Sequence, residues 1–346
     1  MNVDRLRGPL PTRLKGPAVA LTGIGHYFPG EPVSNEFFER LEGSQVTDAW
    51  IRKNTGVETR HWPDPTRERH VEMGAKAARL ALEDAGLGVD DVELIIGTTS
   101  TSRPRSNPSS LKNGYMDIAP PLQRELGAHR AFVFDCQGIA CAGFLYASML
   151  AQAVLGSMNL RTALVVCAEN PKPILNFDYK YSVLFGGGAA AGVWQTTEGT
   201  SGLLDVHLNS DGRYFDAFDI DENDKMIMHG KQIGQIGPRK LIEASRTLLA
   251  RNDLVPTDID WFIPHQANIN LIREVVDAIE LPWDRVLLNL HKRGNTSSVG
   301  APSCLSEHVR EGIVKPGDRI LTVSIGRGFS WGAMLFQYAG GPSNGR

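Results

Sequence analysis

Short apolar runs alternate with amphipathic stretches along much of the chain. Residues 131–134 and 163–166 form continuous apolar runs, a pattern typical of strands that are buried on both faces. Residues 72–85 place their apolar side chains on one face and are followed by Gly86, which predicts a helix with a glycine stop. This alternation predicts an α/β fold whose sheets are covered by helices.

The remaining elements follow from the same periodicities. We expect strands at 18–21, 94–96, 261–263 and 320–323, and helices at 35–41, 144–155 and 242–250. Residues 101–121 hold prolines and serines with little periodicity. So long an irregular connection in a compact domain usually serves function or covers a pocket.

An order of elements in the first half of the chain recurs in the second. Residues 89–96 and 257–263 each read as an acidic turn that leads from a helix into a buried strand. Residues 132–166 and 286–323 each continue as strand, sharp turn, helix and buried strand. The repeat predicts two similar α/β halves, 1–198 and 199–346, whose equivalent turns face one another where pockets commonly form.

Composition and charge narrow the class of protein. The 346 residues carry a net charge of −3 with both signs interspersed, which gives no footprint for nucleic acid or for a membrane face. The four cysteines form no CxxC pair, which argues against a zinc site and a disulfide framework. Without a signal-like N-terminus or a run of about 18 apolar residues, we expect a soluble cytoplasmic protein.

Cys141 lies in a stretch of small residues, 135–144, between a predicted strand and a predicted helix. A sharp turn there places the thiol at a helix N-terminus, where unpaired N–H groups favour a thiolate and make it a usable nucleophile. The alternative is a small buried hydrophobic residue, which is the commoner role of a free cysteine. The turn alone does not decide between the two readings.

Three turns in the second half carry groups that suit acyl transfer. His265 follows a buried strand, Asn295 precedes a helix, and residues 326–332 form a glycine-flanked loop after another buried strand. An imidazole and an amide donate hydrogen bonds, and a glycine loop can direct a backbone N–H at an oxyanion. Each group also has a purely structural interpretation: His265 as a histidine at a strand end, Asn295 as a helix N-cap, and residues 326–332 as an ordinary turn. Their joint placement on one side of the sheets favours the functional reading.

These turns also carry motifs of a known family. The chain resembles the β-ketoacyl-acyl-carrier-protein synthases III, thiolase-superfamily condensing enzymes, from about Val19 to Phe336. The matching stretches are Ala140-Cys141-Ala142-Gly143-Phe144, Pro264-His265-Gln266-Ala267-Asn268, Gly294-Asn295-Thr296-Ser297 and Gly328-Phe329-Ser330-Trp331-Gly332. The resemblance implies the duplicated five-layer αβαβα fold of thiolases and a homodimer.

The resemblance also implies an acyltransferase reaction. Cys141 would take an acyl group from an acyl-CoA or acyl-carrier-protein thioester. His265 and Asn295 would hold the carbonyl of a malonyl-type thioester as it loses carbon dioxide, and the resulting enolate would attack the acyl group to give a β-ketoacyl product. Substrate thioesters would be the only carriers needed, with neither a metal nor a separate cofactor.

The resemblance assigns supporting roles to five further positions. The backbone N–H groups of Cys141, Arg327 and Gly328 would form the oxyanion hole. Trp50 would stack on the adenine of CoA. Asn268 and Phe329 would contact substrate, with Asn268 in the pantetheine channel.

Several residues depart from the family's pattern. Asn54 and Asn270 stand where arginines are usual, and Arg327 interrupts the usual glycine triplet. The helix after His265 carries acidic residues where fatty-acid enzymes show basic ones for an acidic carrier: Glu274, Asp277 and Glu280. These departures favour specialised, polyketide-like metabolism over fatty-acid initiation.

Two other functions remain open at this point. One is transfer of the acyl group from Cys141 to an alcohol or amine, without a new carbon–carbon bond. The other is a non-catalytic subunit of a ketosynthase pair. The asparagine at position 295 favours condensation over the first, and the presence of Cys141, His265 and Asn295 together argues against the second. The acyl chain length, the extender, the carrier and the pathway cannot be read from the sequence.

Overall fold

The computed structural model describes residues 16–44, 46–64, 68–103, 116–199 and 202–341. Most of the irregular connection expected at 101–121 therefore lies outside the described residues. The first half contains, in order, β1 (Ala18–Tyr27), β2 (Val33–Ser34), α1 (Glu36–Glu39), α2 (Asp48–Thr55), β3 (Thr59–Arg60), α3 (His70–Ala85), β4 (Leu94–Thr98), α4 (Ala119–Leu126), β5 (Phe132–Asp135), α5 (Gly143–Met158), β6 (Thr162–Glu169) and β7 (Gly188–Thr197).

The second half repeats the core of this series. It contains β8 (Leu203–Ser210), β9 (Phe218–Ile220), β10 (Met226–Met228), α6 (Gly230–Arg251), β11 (Trp261–Ile263), α7 (Ile269–Ala278), α8 (Leu290–Arg293), α9 (Gly300–Arg310), β12 (Arg319–Gly326) and β13 (Ser330–Gln337).

The two main sheets share one topology. The first has the order β1-β7-β6-β4-β5, and the second β8-β13-β12-β11. In each, two parallel neighbours (β4 and β6, β11 and β12) continue into antiparallel partners. An isolated parallel bridge between Phe262 and Val286 occupies the place that β5 takes in the first sheet. The duplicated α/β fold expected from the sequence is confirmed.

The duplication extends to single hydrogen bonds. Before β4, the carboxylate of Asp91 accepts a hydrogen bond from Gly88 N at 2.8 Å; before β11, Asp258 accepts one from Val255 N at 2.8 Å. These are the two acidic turns that the sequence repeat singles out. Each carboxylate satisfies a backbone donor that the short 3₁₀ turn leaves unpaired.

Helices and sheets stack in five layers. α3 and α4 cover the outer face of the first sheet, and α6 and α7 cover that of the second. α5 and α9 lie between the sheets and share one apolar core with both, in which Phe144 and Leu305 are buried. The N-termini of both middle helices meet in this layer, so the turns before them come together.

The middle helix α5 consists mainly of apolar residues. Together with the preceding turn it spans Ala140–Met158, which is long and apolar enough to cross a membrane by length and composition alone. Half of that stretch is buried inside the protein, between the two sheets. A core helix covered on both sides accounts for such a composition.

β7 begins with a Gly- and Ala-rich run, whose small residues let β1, β6 and the helices on both faces approach closely. One element differs from its sequence-based description: β5, which the sequence suggested was buried, is an edge strand paired only with β4 among the described residues, and Phe132 is 51% exposed. Apolar runs do not reveal which strand lies at an edge.

The packing of α3 on β1 depends on glycine. A Cβ at Gly25 would collide with the carbonyl oxygen of Ala77 and lie 2.5 Å from Ala81 N, both in the backbone of α3. Backbone atoms cannot move aside as a flexible side chain can. The helix therefore sits on the sheet at a distance that only hydrogen at this position permits.

We expect Gly25→Ala to destabilise the protein by about 1–3 kcal/mol, because it overpacks this contact. Gly234→Ala is the matched control: Gly234 is exposed in α6, and an added Cβ meets nothing within 4 Å. There the same substitution should stabilise the protein by up to about 1 kcal/mol through helix propensity. Urea unfolding of wild type and the two variants measures the change in the free energy of unfolding at each position. Equal changes at the two positions would contradict the close-packing argument.

Candidate active site

Cys141 lies in a 3₁₀ turn, Ala140–Ala142, that leads directly into α5. Ala140 adopts a left-handed backbone conformation with φ of 52°, uncommon for a residue with a Cβ. At Gly143 the turn packs closely on the other half, since an added Cβ would stand 3.2 Å from Ser298 Cβ. The tight conformation turns Cys141 away from the core and toward the interface between the halves.

The equivalent turn of the second half faces the first. It runs from Gly294 through a 3₁₀ turn, Ser297–Val299, into α9, and Ser297 repeats the left-handed conformation with φ of 54°. Contacts cross between the halves: Ser324 in β12 donates a hydrogen bond to Cys141 O at 2.7 Å. The two turns and the strands beneath them thus form one buried junction.

A cavity of about 760 Å³ opens at this junction. Cys141 and Asn295 both line it, as do Ser297, Gly326 and Arg327. Cys141 is only half-buried because one side of it faces this cavity. The structure therefore brings the predicted nucleophile and the predicted amide donor to one space, as the sequence repeat suggested.

Asn295 is held by hydrogen bonds at its backbone and its side chain. Its N–H donates to Leu184 O at 2.7 Å, and its carbonyl accepts from Gly186 N at 3.0 Å. Its side-chain oxygen accepts from Ser297 N at 2.9 Å. The amide nitrogen is consequently the end of the side chain that can donate to a substrate oxygen.

His265 lies two residues after the end of β11 and is only 7% exposed. The parallel register of β11 and β12 ends at Ile263 and Thr322, so its continuation brings His265 to the level of Ser324, which contacts the Cys141 turn. His265 is not among the residues that line the cavity described above. Burial lowers the pKa of His265 to about 4, so that the ring is neutral at neutral pH.

The surroundings of Cys141 shift the pKa of its thiol upward. Burial raises its pKa to about 12, and a hydrogen bond from the Ser297 side chain acts in the opposite direction. The charge of Glu169 raises the pKa further. Burial thus opposes the stabilisation of a thiolate that the sequence analysis considered at this helix N-terminus.

The glycine loop after β12 approaches the nucleophile through its backbone. A Cβ at Gly326 would collide with Ile139 O and stand 2.9 Å from Cys141 N. Arg327 lines the cavity, but its side chain turns toward the β9–β10 hairpin, where Nε donates to Phe218 O at 3.2 Å. Gly328 does not line the cavity; its φ is 127°, a conformation that favours glycine. The backbones of this loop and of the Cys141 turn thus converge.

The three predicted substrate contacts lie away from the cavity lining. Trp50 packs against Tyr181, with the ammonium of Lys180 5.3 Å from the centre of its ring. Asn268 caps α7, its side chain accepting from Leu271 N at 2.9 Å. Phe329 is fully buried beside Phe218, which does line the cavity.

The residues that depart from the family pattern form contacts of their own. Asn270 donates to Asn54 O at 3.1 Å, which joins α7 to α2. Glu274 and Asp277 lie on the exposed face of α7, beside the exposed Arg273. Glu280, which the sequence analysis placed on this helix, is exposed in the turn that follows it, because α7 ends at Ala278. Acidic side chains outnumber basic ones on this part of the surface.

Sequence reasoning missed Glu169, a fully buried carboxylate on the cavity wall. Glu169 is the last residue of β6, and Gly326 is the last residue of β12, the equivalent strand of the second half. The sequence repeat therefore contained one signal for this site: a charged residue at a position where the other half has glycine. Ser298 Oγ donates to it at 2.7 Å and Thr101 Oγ1 at 2.8 Å. Within the described parts of the chain, no group of three or more His, Cys, Asp or Glu residues could hold a metal ion.

Comparison with known proteins gives a consistent family. The family profile described as "3-Oxoacyl-[acyl-carrier-protein (ACP)] synthase III" matches residues 134–212, and that of its C-terminal part matches residues 249–338. The beta-ketoacyl-[acyl-carrier-protein] synthase III of Cereibacter sphaeroides is 37% identical over 328 residues, which cover 91% of this chain and 98% of the relative. A Ruegeria synthase III is also 37% identical, with the same coverage.

Solved structures agree in fold. The 3-oxoacyl-[acyl-carrier-protein] synthase III of Aquifex aeolicus has a TM-score of 0.85 at 30% identity, and the match covers 92% of this chain and all of that one. The priming β-ketosynthase of the R1128 polyketide pathway has a TM-score of 0.83 at 27% identity, covering 98% of this chain and all of that one. The expectation of a thiolase-like fold is confirmed.

The low pKa of His265 has a consequence for stability. A ring with a pKa of about 4 in the fold and 6.5 when unfolded contributes stability that is fully present above pH 6.5 and is lost as pH falls toward 4. We expect that contribution to reach about 3 kcal/mol. The variant His265→Gln lacks this pH-dependent contribution. The difference in the free energy of unfolding between wild type and variant, measured with urea, should therefore shrink from pH 7 to pH 4.5.

NMR of protein with labelled histidine rings measures the pKa of His265 directly. The His265 resonances should not titrate between pH 8 and pH 5.5, whereas the unfolded protein titrates near 6.5. A His265 midpoint near 6.5 in the folded protein would show that burial does not hold the ring neutral.

Proposed function

The chain belongs to the β-ketoacyl-[acyl-carrier-protein] synthase III family of condensing enzymes, and we propose that it performs decarboxylative condensation through Cys141. An acyl-CoA or acyl-carrier thioester first transfers its acyl group to the sulfur. A malonyl-type thioester then loses carbon dioxide, and its enolate attacks the acyl group to release a β-ketoacyl thioester. The observation that carries the proposal is that Cys141 and Asn295, from opposite halves, line one cavity.

The acylation step needs a nucleophile and an oxyanion site. Cys141 Sγ forms a bond to the acyl carbon as the carbon–sulfur bond of the donor breaks, and the thiol proton leaves with the departing thiol. Negative charge develops on the carbonyl oxygen of the tetrahedral intermediate. The proximity of Gly326 to Cys141 N supports an oxyanion hole from the N–H groups of Cys141, Arg327 and Gly328.

The condensation step needs donors for an enolate. A neutral imidazole and an amide can both donate a hydrogen bond to an enolate oxygen without giving up a proton to it. The low pKa of His265 and the anchored side-chain oxygen of Asn295 support these roles. In a site with little water such donors stabilise charge more than they would in solution. In this proposal Cys141, His265 and Asn295 carry out the chemistry, and neither a metal ion nor a separate cofactor is required.

We place the reaction in specialised, polyketide-like metabolism rather than in fatty-acid initiation. The cavity wall carries charged groups, Arg103, Asp219, Asp221, Asp224 and Arg327, which suit a polar acyl group better than a short alkyl one. The acidic face of α7 would repel an acidic carrier protein rather than attract it. Trp50 and Asn268 keep their proposed substrate contacts, with the Lys180 ammonium beside Trp50 suited to CoA phosphates. Phe329 is fully buried, so the direct substrate contact expected of it is replaced by packing behind Phe218 of the cavity wall.

We also propose a homodimer formed at the β5 edge. β5 has a strand partner on one side only within the described part of the chain, and an exposed aromatic side chain, Phe132, lies on it. An apolar edge strand pairs readily with another chain. The four free cysteines support a reducing, cytoplasmic location.

Mass spectrometry of the intact protein tests the reaction. We expect an acyl adduct when wild type meets its acyl-CoA donor, and none in Cys141→Ala, because the sulfur is the acyl carrier. Asn295→Ala should keep the adduct and slow condensation with malonyl-CoA or malonyl-carrier protein by about 10²–10³-fold, through loss of a donor to the enolate. Cys304→Ala, a buried cysteine in α9, is the control that should retain the adduct.

A panel of short alkyl and polar acyl-CoA donors extends this test. Loss of carbon dioxide together with a β-ketoacyl product supports condensation. Discharge of the adduct onto an alcohol or amine without carbon dioxide would replace the proposal with acyl transfer, and no adduct from any donor would point to a non-catalytic subunit.

Phe132→Asp tests the dimer. A charge within a strand–strand interface is costly to bury, so we expect the variant to elute as a monomer while wild type elutes as a dimer. Phe215→Asp is the matched control, since Phe215 is 59% exposed in a different region. Light scattering coupled to size-exclusion chromatography measures the mass. If Phe132→Asp elutes as a dimer, the subunit interface does not lie at the β5 edge.

A further inference from the structure

The side chain of Arg293 joins the two halves of the protein beside the candidate active site. Arg293 is the last residue of α8 and lies two positions before Asn295. Its Nε and Nη2 donate to Glu307 Oε1 of α9, at 2.8 and 2.6 Å. Its Nη1 lies 2.8 Å from His61 Nε2 in the first half, and its guanidinium lies 4.2 Å from the centre of the Phe28 ring. One side chain thus contacts a middle helix of the second half and two segments of the first.

The protonation state of His61 follows from its hydrogen-bond partners. A guanidinium can only donate hydrogen bonds, so Nε2 of His61 is the acceptor in its pair with Arg293. The other ring nitrogen, Nδ1, lies 3.0 Å from Pro29 O and carries the hydrogen that this carbonyl accepts. Burial lowers the pKa of His61, and the charge of Arg293 acts in the same direction. His61 is therefore a neutral acceptor that a backbone carbonyl orients toward the arginine.

Glu307 holds the same short helix from the second half. Its Oε1 accepts from Arg293, and its Oε2 accepts from Asn289 Nδ2 at 3.0 Å. Asn289 precedes α8 and Arg293 ends it, so one carboxylate fixes both ends of this four-residue helix. The side chains of Arg293 and Glu307 are only 22% and 12% exposed, so water screens their attraction less than it would in a surface pair.

These contacts lie next to the hydrogen bonds that hold Asn295. The chain passes from Arg293 to Asn295 through Gly294, whose φ of 67° is a left-handed conformation that favours glycine. Asn295 then forms two backbone hydrogen bonds with the first half, to Leu184 O and from Gly186 N. A Cβ at Gly186 would collide with the carbonyl oxygen of Arg293, so the two segments touch. The two hydrogen bonds stay aligned only while α8 keeps its place against the first half, which the Arg293 side chain secures.

Other contacts of α8 do not replace this one. Glu58 N donates to His291 O at 2.9 Å, and Thr59 Oγ1 donates to Lys292 O at 2.8 Å. Both bonds reach the backbone of α8 from the first half, and neither connects the helix to α9. Among the described side chains of α8, Arg293 is the one whose hydrogen bonds reach α9 and the first half at once.

We propose that Arg293 is a positioning residue for condensation, which holds the Asn295 turn in place through Glu307 in its own half and His61 in the other. This inference rests on the proposed role of Asn295 as a donor to the enolate. Such a donor must point at the place where charge develops, and a displacement of about 1 Å can cost about 100-fold in rate. Acylation uses the Cys141 sulfur and the oxyanion site rather than Asn295, so a change at Arg293 should slow condensation and spare acylation.

Arg293→Lys tests the proposal while it keeps a positive charge beside Glu307. Lysine cannot make the forked contact with the carboxylate and reach His61 as well. We expect kcat for condensation to fall about three- to tenfold. The rate of acyl-adduct formation on Cys141 and the KM for the malonyl thioester should stay within about twofold of wild type. Arg310→Lys, at the exposed end of α9, is the matched control and should change none of these values.

A double-mutant cycle shows whether Arg293 acts through Asn295. In an Asn295→Ala background the donor is already absent, so Arg293→Lys should lower the condensation rate by less than about twofold more. A substitution that only loosens the fold would lower the rate by the same factor in both backgrounds. Equal factors in the two backgrounds, or an unchanged kcat in Arg293→Lys, would overturn the proposal.

Hydrogen exchange followed by mass spectrometry tests the contact without any substrate. Peptides that contain Gly186 and Asn295 should exchange about three- to tenfold faster in Arg293→Lys, because their N–H groups form hydrogen bonds between the halves. Peptides from β8, at the edge of the second sheet, should exchange at the wild-type rate. If Arg293→Lys does not fold, His61→Phe removes the acceptor and keeps an aromatic ring beside Phe28, and it should change exchange and kcat in the same direction. Unchanged exchange in the folded variant would overturn the proposal.

The exchange measurement also lets the two conclusions fail separately. If wild type gains an acyl adduct but never releases carbon dioxide, the proposed function is wrong, and the exchange rates still support or overturn the role of Arg293 in holding the turn. Condensation by wild type, together with an unchanged kcat or unchanged exchange in Arg293→Lys, overturns the role of Arg293 alone.

Discussion

The close approach of two strand-to-helix turns across the middle layer is the constraint on which the site depends. A Cβ at Gly326 would collide with Ile139 O, in the backbone before Cys141, so the second half approaches the first here at a distance that only glycine permits. At Gly143 an added Cβ would first meet Thr98 Oγ1 of the same half and would stand 3.2 Å from Ser298 Cβ of the other half. This close approach brings the sulfur of the first half and the amide of the second to one cavity.

Burial then sets the protonation state of the groups that this contact assembles. It raises the pKa of Cys141 and lowers that of His265. The buried carboxylate of Glu169, on the wall of the same cavity, is satisfied by hydrogen-bond donors from both halves. Electrostatics of this kind act strongly where water is scarce.

Two points of the sequence-based reading depend on the tertiary structure. The strand-to-helix turn left the role of Cys141 open, and the structure places this residue on the cavity wall. The apolar run in β5 predicted a strand buried on both faces, but in the single chain it lies at the sheet edge and Phe132 is exposed. Both outcomes depend on what surrounds a residue in space. Local pattern carries no information about that.

The sequence by itself determined the α/β class, the duplication and the turns that carry Cys141, His265 and Asn295, because periodicity, glycine placement and the acidic turns at Asp91 and Asp258 are local properties. Only the tertiary structure decided that the two turns open on one cavity and that Glu169 is linked through Ser100 to Ser297 of the other half. Those contacts join residues far apart in the chain. Their geometry is set by how two layered halves pack, which no single stretch encodes.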